Sequence, residues 1–335
     1  MTTPIRRIIR TDIPVGQPSQ PGVPAGPPPG GGGHVRDALR AWLGGLKLVE
    51  AARQDDALLV GLEIRDGAGR RYVLLHEAIA AGSAQVSEQG GGNVNVLTVT
   101  NKGGEPVLVL EGELVVGAKQ NRTITETLLV APGTAIPVQV GCVERGRWDQ
   151  ARTPFSSGRQ TMEPSTRRAT VKEMALHGAV DQARLWADVH GRSQDFAAQS
   201  PTGDYHSVVE KQLESSSRLF GQVPDSPARV GMMVLLDGRF VGMDVVSHPL
   251  TWSALAGRLL PSYFVGLDVM RRHPEMLGDT ARARPEEWLG HVTLGQVRTA
   301  PTAGLGERVL VATGGINGAG LWHVDHPAHL ALFAD

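Results

Sequence analysis

Residues 111–122 carry the densest group of polar side chains in the sequence, and they directly follow the apolar run at residues 107–110. If a strand continues through this run to Glu113, then Glu111 and Glu113 share one face, roughly 6.5–7 Å apart along the backbone. Two neighbouring carboxylates repel each other, which raises the pKa of one of them. Such groups can act as a general base or bind a divalent cation, so both are candidate catalytic residues.

Four consecutive side chains at the end of this segment can donate hydrogen bonds: Lys119, Gln120, Asn121 and Arg122. The guanidinium of an arginine suits bidentate recognition of a phosphate or a carboxylate. We therefore predict that these four residues bind an anionic ligand. The alternative is a solvated hairpin in which the charged side chains of the segment pair with one another.

A second polar segment, residues 142–148, combines a cysteine, a glutamate, two arginines and a tryptophan. Alternation along a strand places Cys142 and Glu144 on one face, and Glu144 is a third candidate catalytic carboxylate. Arg147 and Trp148 could frame a planar ligand by cation–π or stacking contacts, and a core position is the alternative for Trp148. A nucleophilic cysteine needs a neighbouring base or cation, so the sequence favours a buried, inert Cys142.

Three histidines and one aspartate lie close together near residue 325: His323, Asp325, His326 and His329. These residue types bind divalent metals. Pro327 indicates a turn at this point, which favours solvated or structural histidines. We therefore assign no metal site, and the sequence leaves any cofactor unknown.

The composition restricts the classes of partner. The chain has 33 Lys and Arg against 34 Asp and Glu, a net charge of −1, so it has no general attraction to nucleic acid or anionic lipid. One cysteine excludes an internal disulfide, and no apolar run approaches the roughly 20 residues of a membrane helix. The P-loop, H-E-x-x-H and G-x-S-x-G motifs are absent. We predict a cytoplasmic protein without a nucleic-acid or membrane partner.

Residues 1–33 are predicted to form a disordered tail, because 8 of them are proline and 7 are glycine. Residues 5–10 of this tail are cationic and apolar, and they could dock on a partner protein. Residues 34–335 are predicted to form a single domain. It has a β-rich part at about 45–148 and an α+β part at about 160–335.

The pattern of apolar and turn residues predicts an α+β fold. An antiparallel sandwich or partial barrel forms the first half, the middle is helical, and β-hairpins close the chain. The predicted strands cover residues 46–50, 57–64, 93–100, 106–111, 123–130, 136–143, 230–236, 240–246, 309–313, 319–324 and 328–333. The predicted helices cover residues 75–81, 166–190, 205–220, 250–272 and 284–295. Asp237 and Gly238 predict a tight hairpin turn, and residues 154–164 are expected to be a connector.

Two strings in the sequence, LEGELVVGAKQNR at 110–122 and IPVQVGCVERGRW at 136–148, resemble the hallmark of a prokaryotic family. This is the ADP-ribosylglycohydrolase- and rhodanese-phosphatase-associated protein domain family, which is named for its neighbours rather than for a demonstrated activity. LHEAI at 75–79, DGRFVG at 237–242, LLPSY at 259–263 and HLALF at 329–333 also fit, so the resemblance covers about residues 45–335. His76, where an acidic residue is common, departs from the pattern. The resemblance implies a role near ADP-ribose or NAD-derived metabolites, as a binding module or an accessory enzyme.

These observations leave two functions open. In the first, residues 111–122 and 142–148 meet on adjacent strands and line a pocket for an anionic, ADP-ribose- or NAD-derived ligand. In the second, the polar segments form a buried salt-bridge network in a non-catalytic scaffold, and the N-terminal tail docks the protein to a partner assembly.

Overall fold

The structure is a computed structural model that describes residues 32–65, 69–89, 94–147, 154–220, 223–278 and 281–335. The strands of these residues are β1 (Lys47–Gln54), β2 (Ala57–Glu63), β3 (Val73–Leu74), β4 (Ala84–Glu88), β5 (Val96–Asn101), β6 (Val107–Val109), β7 (Glu113–Val116), β8 (Arg122–Ile124), β9 (Leu128–Val130), β10 (Ala135–Cys142), β11 (Ser156–Thr161), β12 (Arg229–Leu236), β13 (Arg239–Val245), β14 (Gln296–Ala300), β15 (Glu307–Thr313), β16 (Ile316–His323) and β17 (His326–Ala334). The helices are α1 (Gly32–Gly44), α2 (Leu75–Ala80), α3 (Pro164–His177), α4 (Gln182–Asp195), α5 (Tyr205–Phe220), α6 (Pro249–Arg272) and α7 (Pro285–Leu294), with a 3-10 turn at Pro274–Leu277. The predicted tail lies outside the described residues, apart from residues 32 and 33 in α1, and so does Trp148.

The largest sheet joins strands from both halves of the sequence. Its order is β1-β2-β12-β13-β17-β16-β15-β14, and every neighbouring pair is antiparallel. The early hairpin β1–β2 thus extends a sheet whose other strands come from the second half. The predicted closing hairpins are confirmed, and β17 lies at the centre of this sheet between β13 and β16.

The turn between β12 and β13 follows from two residues. Asp237 and Gly238 have φ values of 50° and 74°. Two positive φ values in a two-residue loop match the right-handed twist of the strands, which is why Asp-Gly favours this turn. The predicted hairpin is confirmed.

The second sheet is an antiparallel partial barrel with the order β11-β7-β8-β10-β5-β4. The long strand β10 connects its two parts, because residues 135–139 pair with β5 and residues 140–142 pair with β8. A small third sheet has the order β3-β6-β9, with β3 and β6 parallel. The predicted α+β fold with a partial barrel in its first half is confirmed.

Helices cover both faces of the largest sheet. Met232 and Met233 point to opposite faces, as neighbours on a strand must. Met232 packs in a core that includes Leu259 of α6, and Met233 packs in a second core with Leu39 of α1 and Trp288 of α7. Because α6 also covers the small third sheet, it joins that sheet to the largest one.

Two further helices pack against the partial barrel near the polar segments. Leu185 of α4 and Val208 of α5 share a buried cluster with Leu114 of β7 and Val143. This cluster fixes the loop between α4 and α5 beside residues 142–147.

The predicted helix over residues 166–190 is wrong in its continuity. The structure has two helices there, and Gly178 ends the first with a left-handed φ of 68°. The side chain of Glu163 accepts hydrogen bonds that cap the start of α3, and the side chain of Asp181 does the same for α4. The helical spacing of apolar residues continues across the break between α3 and α4. The break is therefore indicated only by Gly178 and by Asp181, which caps α4.

The single strand predicted over residues 123–130 is also wrong, because β8 and β9 belong to different sheets. The expected connector at residues 154–164 contains β11, which is short and polar. The structure further contains α1, β3, β4, β7 and β14, which the sequence pattern did not predict. Among the described residues, no helix has both the length and the apolar character needed to cross a membrane.

Candidate functional site

Glu111 and Glu113 lie in different surroundings, because the chain bends between them. β6 ends at Val109 and β7 begins at Glu113, so the strand continuation that would place the two carboxylates on one face is wrong. Gly112 has a φ of 79°, and a Cβ atom there would lie 2.8 Å from Nε of Arg167. Both constraints require glycine at the bend.

Glu111 belongs to a buried ion network. Nη2 of Arg167 lies 2.8 Å from Oε2 of Glu111, and Nη1 of Arg167 lies 2.8 Å from Oδ2 of Asp244. The three side chains are between 0 and 4% exposed. Although burial opposes both shifts, the charge of Arg167 lowers the pKa of Asp244, and the charges of Asp244 and Glu111 raise the pKa of Arg167. This network is closed to solvent and joins α3 to β13.

Asp244 also contacts a tyrosine and a histidine. The hydroxyl of Tyr263 donates a 2.8 Å hydrogen bond to Oδ2 of Asp244, and Nε2 of His329 lies 2.7 Å from Oδ1. Nδ1 of His329 lies 3.0 Å from Oγ1 of Thr127, so both ring nitrogens are used inside the protein. In the sequence, Asp244 and His329 are polar residues within apolar runs, and this marks each of them as unusual. The sequence does not show that the two runs are neighbouring strands, so the contact between Asp244 and His329 was not predictable.

Glu113 is buried beside a serine and an arginine. Oγ of Ser157 donates a 2.8 Å hydrogen bond to Oε1 of Glu113, and Nη1 of Arg258 donates a 3.1 Å hydrogen bond to Oγ of Ser157. Burial raises the pKa of Glu113, of which 3% is exposed. Sequence reasoning missed Ser157 and Arg258, since they lie on β11 and α6 and carry no motif.

The two predicted polar segments meet. The backbone N–H of Asn121 donates a 3.1 Å hydrogen bond to Oε2 of Glu144. Nε of Arg147 donates to Oε1 of Glu144 at 2.8 Å, and Nη2 of Arg147 donates to Oδ1 of Asn121 at 2.8 Å. Although burial opposes it, hydrogen bonds from Arg147 and Asn121 lower the pKa of Glu144. We call these three residues, Asn121, Glu144 and Arg147, the junction.

Arg122 is a buried cation next to Asn121 of the junction. It is 1% exposed and donates 3.3 Å hydrogen bonds to the carbonyl oxygens of Val94 and Asn121. Within the ranges that the structure describes, no carboxylate lies within 4 Å of its guanidinium, and burial lowers its pKa. Cys142 pairs with Arg122 across β8 and β10, and burial raises the pKa of its thiol. Cys142 is buried, as the sequence favours.

The other two predicted donors point away from each other. Nζ of Lys119 lies 3.2 Å from Oε2 of Glu88, at the edge of the partial barrel. Nε2 of Gln120 donates a 3.4 Å hydrogen bond to the carbonyl of Arg145, and its buried Oε1 has no hydrogen-bond partner among the described residues. The four donors of residues 119–122 therefore do not converge on one point.

A hollow of about 650 Å³ adjoins the junction. Its wall consists of Arg145, Val189, His190, Ser193, Ala198, Gln199, Ser200, Pro201, Gly203 and Val208. The guanidinium carbon of Arg145 lies 5.3 Å from the centre of the Trp186 ring, in a cation–π contact. Sequence reasoning missed Arg145 and His190, although Arg145 lies within the second polar segment.

The loop that forms one side of the hollow is fastened to the junction. The N–H of Gly146 donates a 2.7 Å hydrogen bond to the carbonyl of Thr202, and Oγ1 of Thr202 donates one of 2.8 Å to Glu144. Nδ2 of Asn121 donates a 3.0 Å hydrogen bond to Asp204. These contacts fasten the junction to a loop that lines the hollow, although the three junction residues are not part of its lining.

In the part of the chain that the structure describes, no group of three or more His, Cys, Asp and Glu side chains could hold a metal ion. His326 pairs through Nδ1 with Oδ1 of Asp325 at 2.5 Å, while His329 belongs to the buried network. The histidines near residue 325 are thus divided between two environments.

Comparison with known proteins identifies the family. Curated proteins give no match, and neither do solved structures. Residues 46–333 match the ARG and Rhodanese-Phosphatase-superfamily-associated Protein domain, a range that includes both polar segments, the junction and the buried network. Since this match covers most of the chain and confirms the resemblance carried by the two polar strings, the protein belongs to the family of ARG and Rhodanese-Phosphatase-superfamily-associated Protein domains.

Proposed function

We propose that this protein binds an anionic ligand derived from ADP-ribose or NAD in the hollow beside the junction. The observation that carries the proposal is the position of Arg145. Arg145 lines the hollow, and its guanidinium stacks on Trp186 and has no carboxylate within 4 Å among the described residues. A guanidinium with this freedom suits a phosphate group.

The hollow has the size and the mixed surface that such a ligand needs. Pockets for small molecules and cofactors usually enclose about 300–1,000 Å³, and the hollow encloses about 650 Å³. Ala198 and Pro201 offer apolar surface for a ring. The hydroxyl of Ser200 accepts a hydrogen bond from the N–H of Asp204 and keeps its proton for a sugar oxygen. The family name, which includes ARG, favours ADP-ribose among anionic nucleotides.

The predicted site residues take different parts in this proposal. Asn121, Glu144 and Arg147 position the loop that carries Arg145 and the opposite loop that carries Thr202. Gln120 and Arg122 donate hydrogen bonds to the carbonyl oxygens of Arg145 and Asn121, which holds the two polar segments together, whereas Lys119 pairs with Glu88 and takes no part in the proposed site. Because Glu144 already accepts hydrogen bonds from Arg147, Thr202 and Asn121, we propose binding rather than proton transfer at this carboxylate.

Calorimetry with ADP-ribose, NAD and inorganic phosphate tests the proposal. A charge-assisted hydrogen bond contributes about 1.5–3 kcal/mol, so Arg145→Ala should weaken ADP-ribose binding by roughly tenfold or more. Arg298→Ala is the matched control, because Arg298 is exposed on β14. Absence of binding to the wild type, or equal affinity of the wild type and Arg145→Ala, would remove the proposal.

A non-catalytic scaffold is the second candidate, and the closure of the Glu111–Arg167–Asp244 network favours it. Charges that are fully buried and mutually paired cannot reach a ligand, and the removal of one of them destabilises the fold because its partners stay buried without a counter-charge. In this function residues 5–10 dock the protein to a partner in the cytoplasm. Cross-linking of the full chain and of a variant lacking residues 1–31, which leaves α1 intact, should then give different partners. An unchanged partner set contradicts the docking role.

A further inference from the structure

We propose that Ser157 is the nucleophile of a second site, which hydrolyses carboxylic esters with Glu113 as general base and Arg258 facing the developing negative charge. This site lies where β7, β11 and α6 meet, and it uses no residue of the hollow. Its success or failure is therefore independent of ligand binding beside the junction.

The hydrogen bonds around Ser157 have a direction that prepares its hydroxyl for attack. Arg258 can only donate, so its 3.1 Å hydrogen bond ends on a lone pair of the Ser157 oxygen. Two acceptors are then within reach of the hydroxyl proton, Oε1 of Glu113 at 2.8 Å and the carbonyl oxygen of Gly158 at 3.2 Å, and the carboxylate is the nearer of the two. A hydroxyl held against a carboxylate is the geometry that general-base activation requires.

Glu113 has the surroundings of a base rather than of a structural ion. No cation lies within 4 Å of its carboxylate among the described residues, in contrast to Glu111, which pairs with Arg167. Its remaining contact is a long hydrogen bond of 3.5 Å from the N–H of Leu110. Because burial raises its pKa, Glu113 is a stronger base than an exposed glutamate.

A β-bulge places Ser157 beside Glu113. Ser157 pairs with Val115 and Thr161 pairs with Glu113, so three residues of β11 lie opposite the single residue Leu114 of β7. Within the bulge, a Cβ atom on Gly158 would lie 2.9 Å from Cβ of Leu114, which requires glycine. Bulges commonly redirect a side chain next to an active site. Ser157 is half-buried on an edge strand, where a substrate can approach it.

The charge around Ser157 suits a single oxyanion. Arg258 is half-buried and binds the carbonyl of Gly158, which fixes its guanidinium beside the serine. Burial and the charge of Arg258 lower the pKa of His76 to about 4, so His76 is neutral at pH 7. Arg70 is paired with Glu77. Burial lowers the pKa of Arg258, and the charge of the exposed Arg159 adds to that shift. Among the described residues, Arg258 is the cation that is hydrogen-bonded to Ser157, and its single charge matches the one that forms on an ester oxygen.

The reaction is balanced with water as the second reactant. Oγ of Ser157 bonds to the ester carbon, its proton passes to Glu113, and the carbonyl oxygen becomes an anion near Arg258. The bond to the alcohol oxygen then breaks, and that oxygen takes the proton from Glu113. Water attacks the acyl-serine and gives a proton to Glu113, which returns it to the oxygen of Ser157 as the acid leaves.

A fluorophosphonate probe and p-nitrophenyl acetate test the site on the full chain. We expect one probe adduct per wild-type molecule, located at Ser157 by peptide mass spectrometry, and no adduct on Ser157→Ala. Ser156→Ala is the matched control, since its exposed neighbouring hydroxyl is outside the site, and it should react as the wild type does.

Glu113→Gln should react at least about 100-fold more slowly than the wild type, because general-base catalysis contributes 10²–10⁴-fold. No adduct on the wild type, an adduct that persists in Ser157→Ala, or an unchanged rate in Glu113→Gln would overturn the proposal. If Glu113→Gln does not fold, the comparison of Ser157→Ala with Ser156→Ala tests the proposal. Both variants should fold, because Ser156 is exposed and Ser157 is half-buried, and alanine fits either position.

Discussion

Asn121 and Arg147, which are 26 residues apart in the chain, are joined by a 2.8 Å hydrogen bond from Nη2 of the arginine to Oδ1 of the amide. The same Oδ1 accepts a 3.1 Å hydrogen bond from the N–H of Gly117, and the amide nitrogen donates to Asp204. One asparagine thus connects β7, the second polar segment and the start of α5.

We expect Asn121→Ala to lower the free energy of unfolding by about 1–3 kcal/mol, because it leaves the buried N–H of Gly117 without a partner. Urea denaturation measures this change, and Asn317→Ala on β16 serves as the control with a change below about 0.5 kcal/mol. The affinity for ADP-ribose should fall together with stability if the junction positions the hollow. A loss equal to that of the control contradicts the structural role of Asn121.

Arg167→Met should lower the free energy of unfolding by about 3–5 kcal/mol, because it leaves the carboxylates of Glu111 and Asp244 buried without their cation. Methionine retains most of the side-chain volume, so the loss reports charge rather than packing. Arg298→Met is the exposed control. A loss below about 1 kcal/mol for Arg167→Met would show that solvent reaches the network.

Glu113→Gln should change how stability depends on pH. Since burial raises the pKa of Glu113 in the folded state, the folded protein binds this proton more tightly than the unfolded chain does. This tighter proton binding stabilises the folded protein fully below the ordinary glutamate pKa of about 4.3, and the stabilisation is lost as the pH rises through the pKa of the folded state. Each pKa unit between the folded and unfolded states corresponds to about 1.4 kcal/mol. The glutamine variant should therefore gain stability relative to the wild type as the pH rises above the ordinary glutamate pKa. A difference that does not vary with pH contradicts this expectation.

His76 should titrate with a midpoint near pH 4, because burial and the charge of Arg258 lower its pKa to about 4. The chemical shift of its ring protons, followed by NMR, measures the midpoint. Arg258→Met should move the midpoint upward, whereas Arg298→Met should leave it unchanged. A wild-type midpoint near the ordinary value of about 6.5 would show that the ring is open to water.

Local sequence patterns predicted those helices and strands whose structure depends on their own residues rather than on distant partners. The Asp237–Gly238 turn determines its hairpin, and the long, largely apolar segment of α6, which is buried on all sides over residues 259–267, predicts a helix. By contrast, β11 is recognisable only through its pairing with β7, since its sequence is short and polar. Periodicity also cannot separate α3 from α4, because the break depends on the φ of Gly178.

The sequence predicted one part of the candidate site, the meeting of the two polar segments, but not the partners of Glu111 and Glu113. The density of polar residues at 119–122 and 144–147 indicated two segments that meet, and the junction joins them. The partners of Glu111 and Glu113 were not predictable, because Arg167, Asp244, Ser157 and Arg258 come from distant elements and are brought close only by the packing of α3, α6 and β13. A bend at Gly112 then sends two neighbouring carboxylates to different sides of a strand end.

The central position of β17 has a consequence for synthesis of the protein on the ribosome. β13 and β16 have no direct contact in the sheet order, so the gap between them stays open until residues 326–334 leave the exit tunnel. The early strands β1 and β2 must likewise wait for β12. The nascent chain therefore exposes unpaired strand edges until residues 326–334 are available, and chaperones that shield such edges should determine the yield of folded protein.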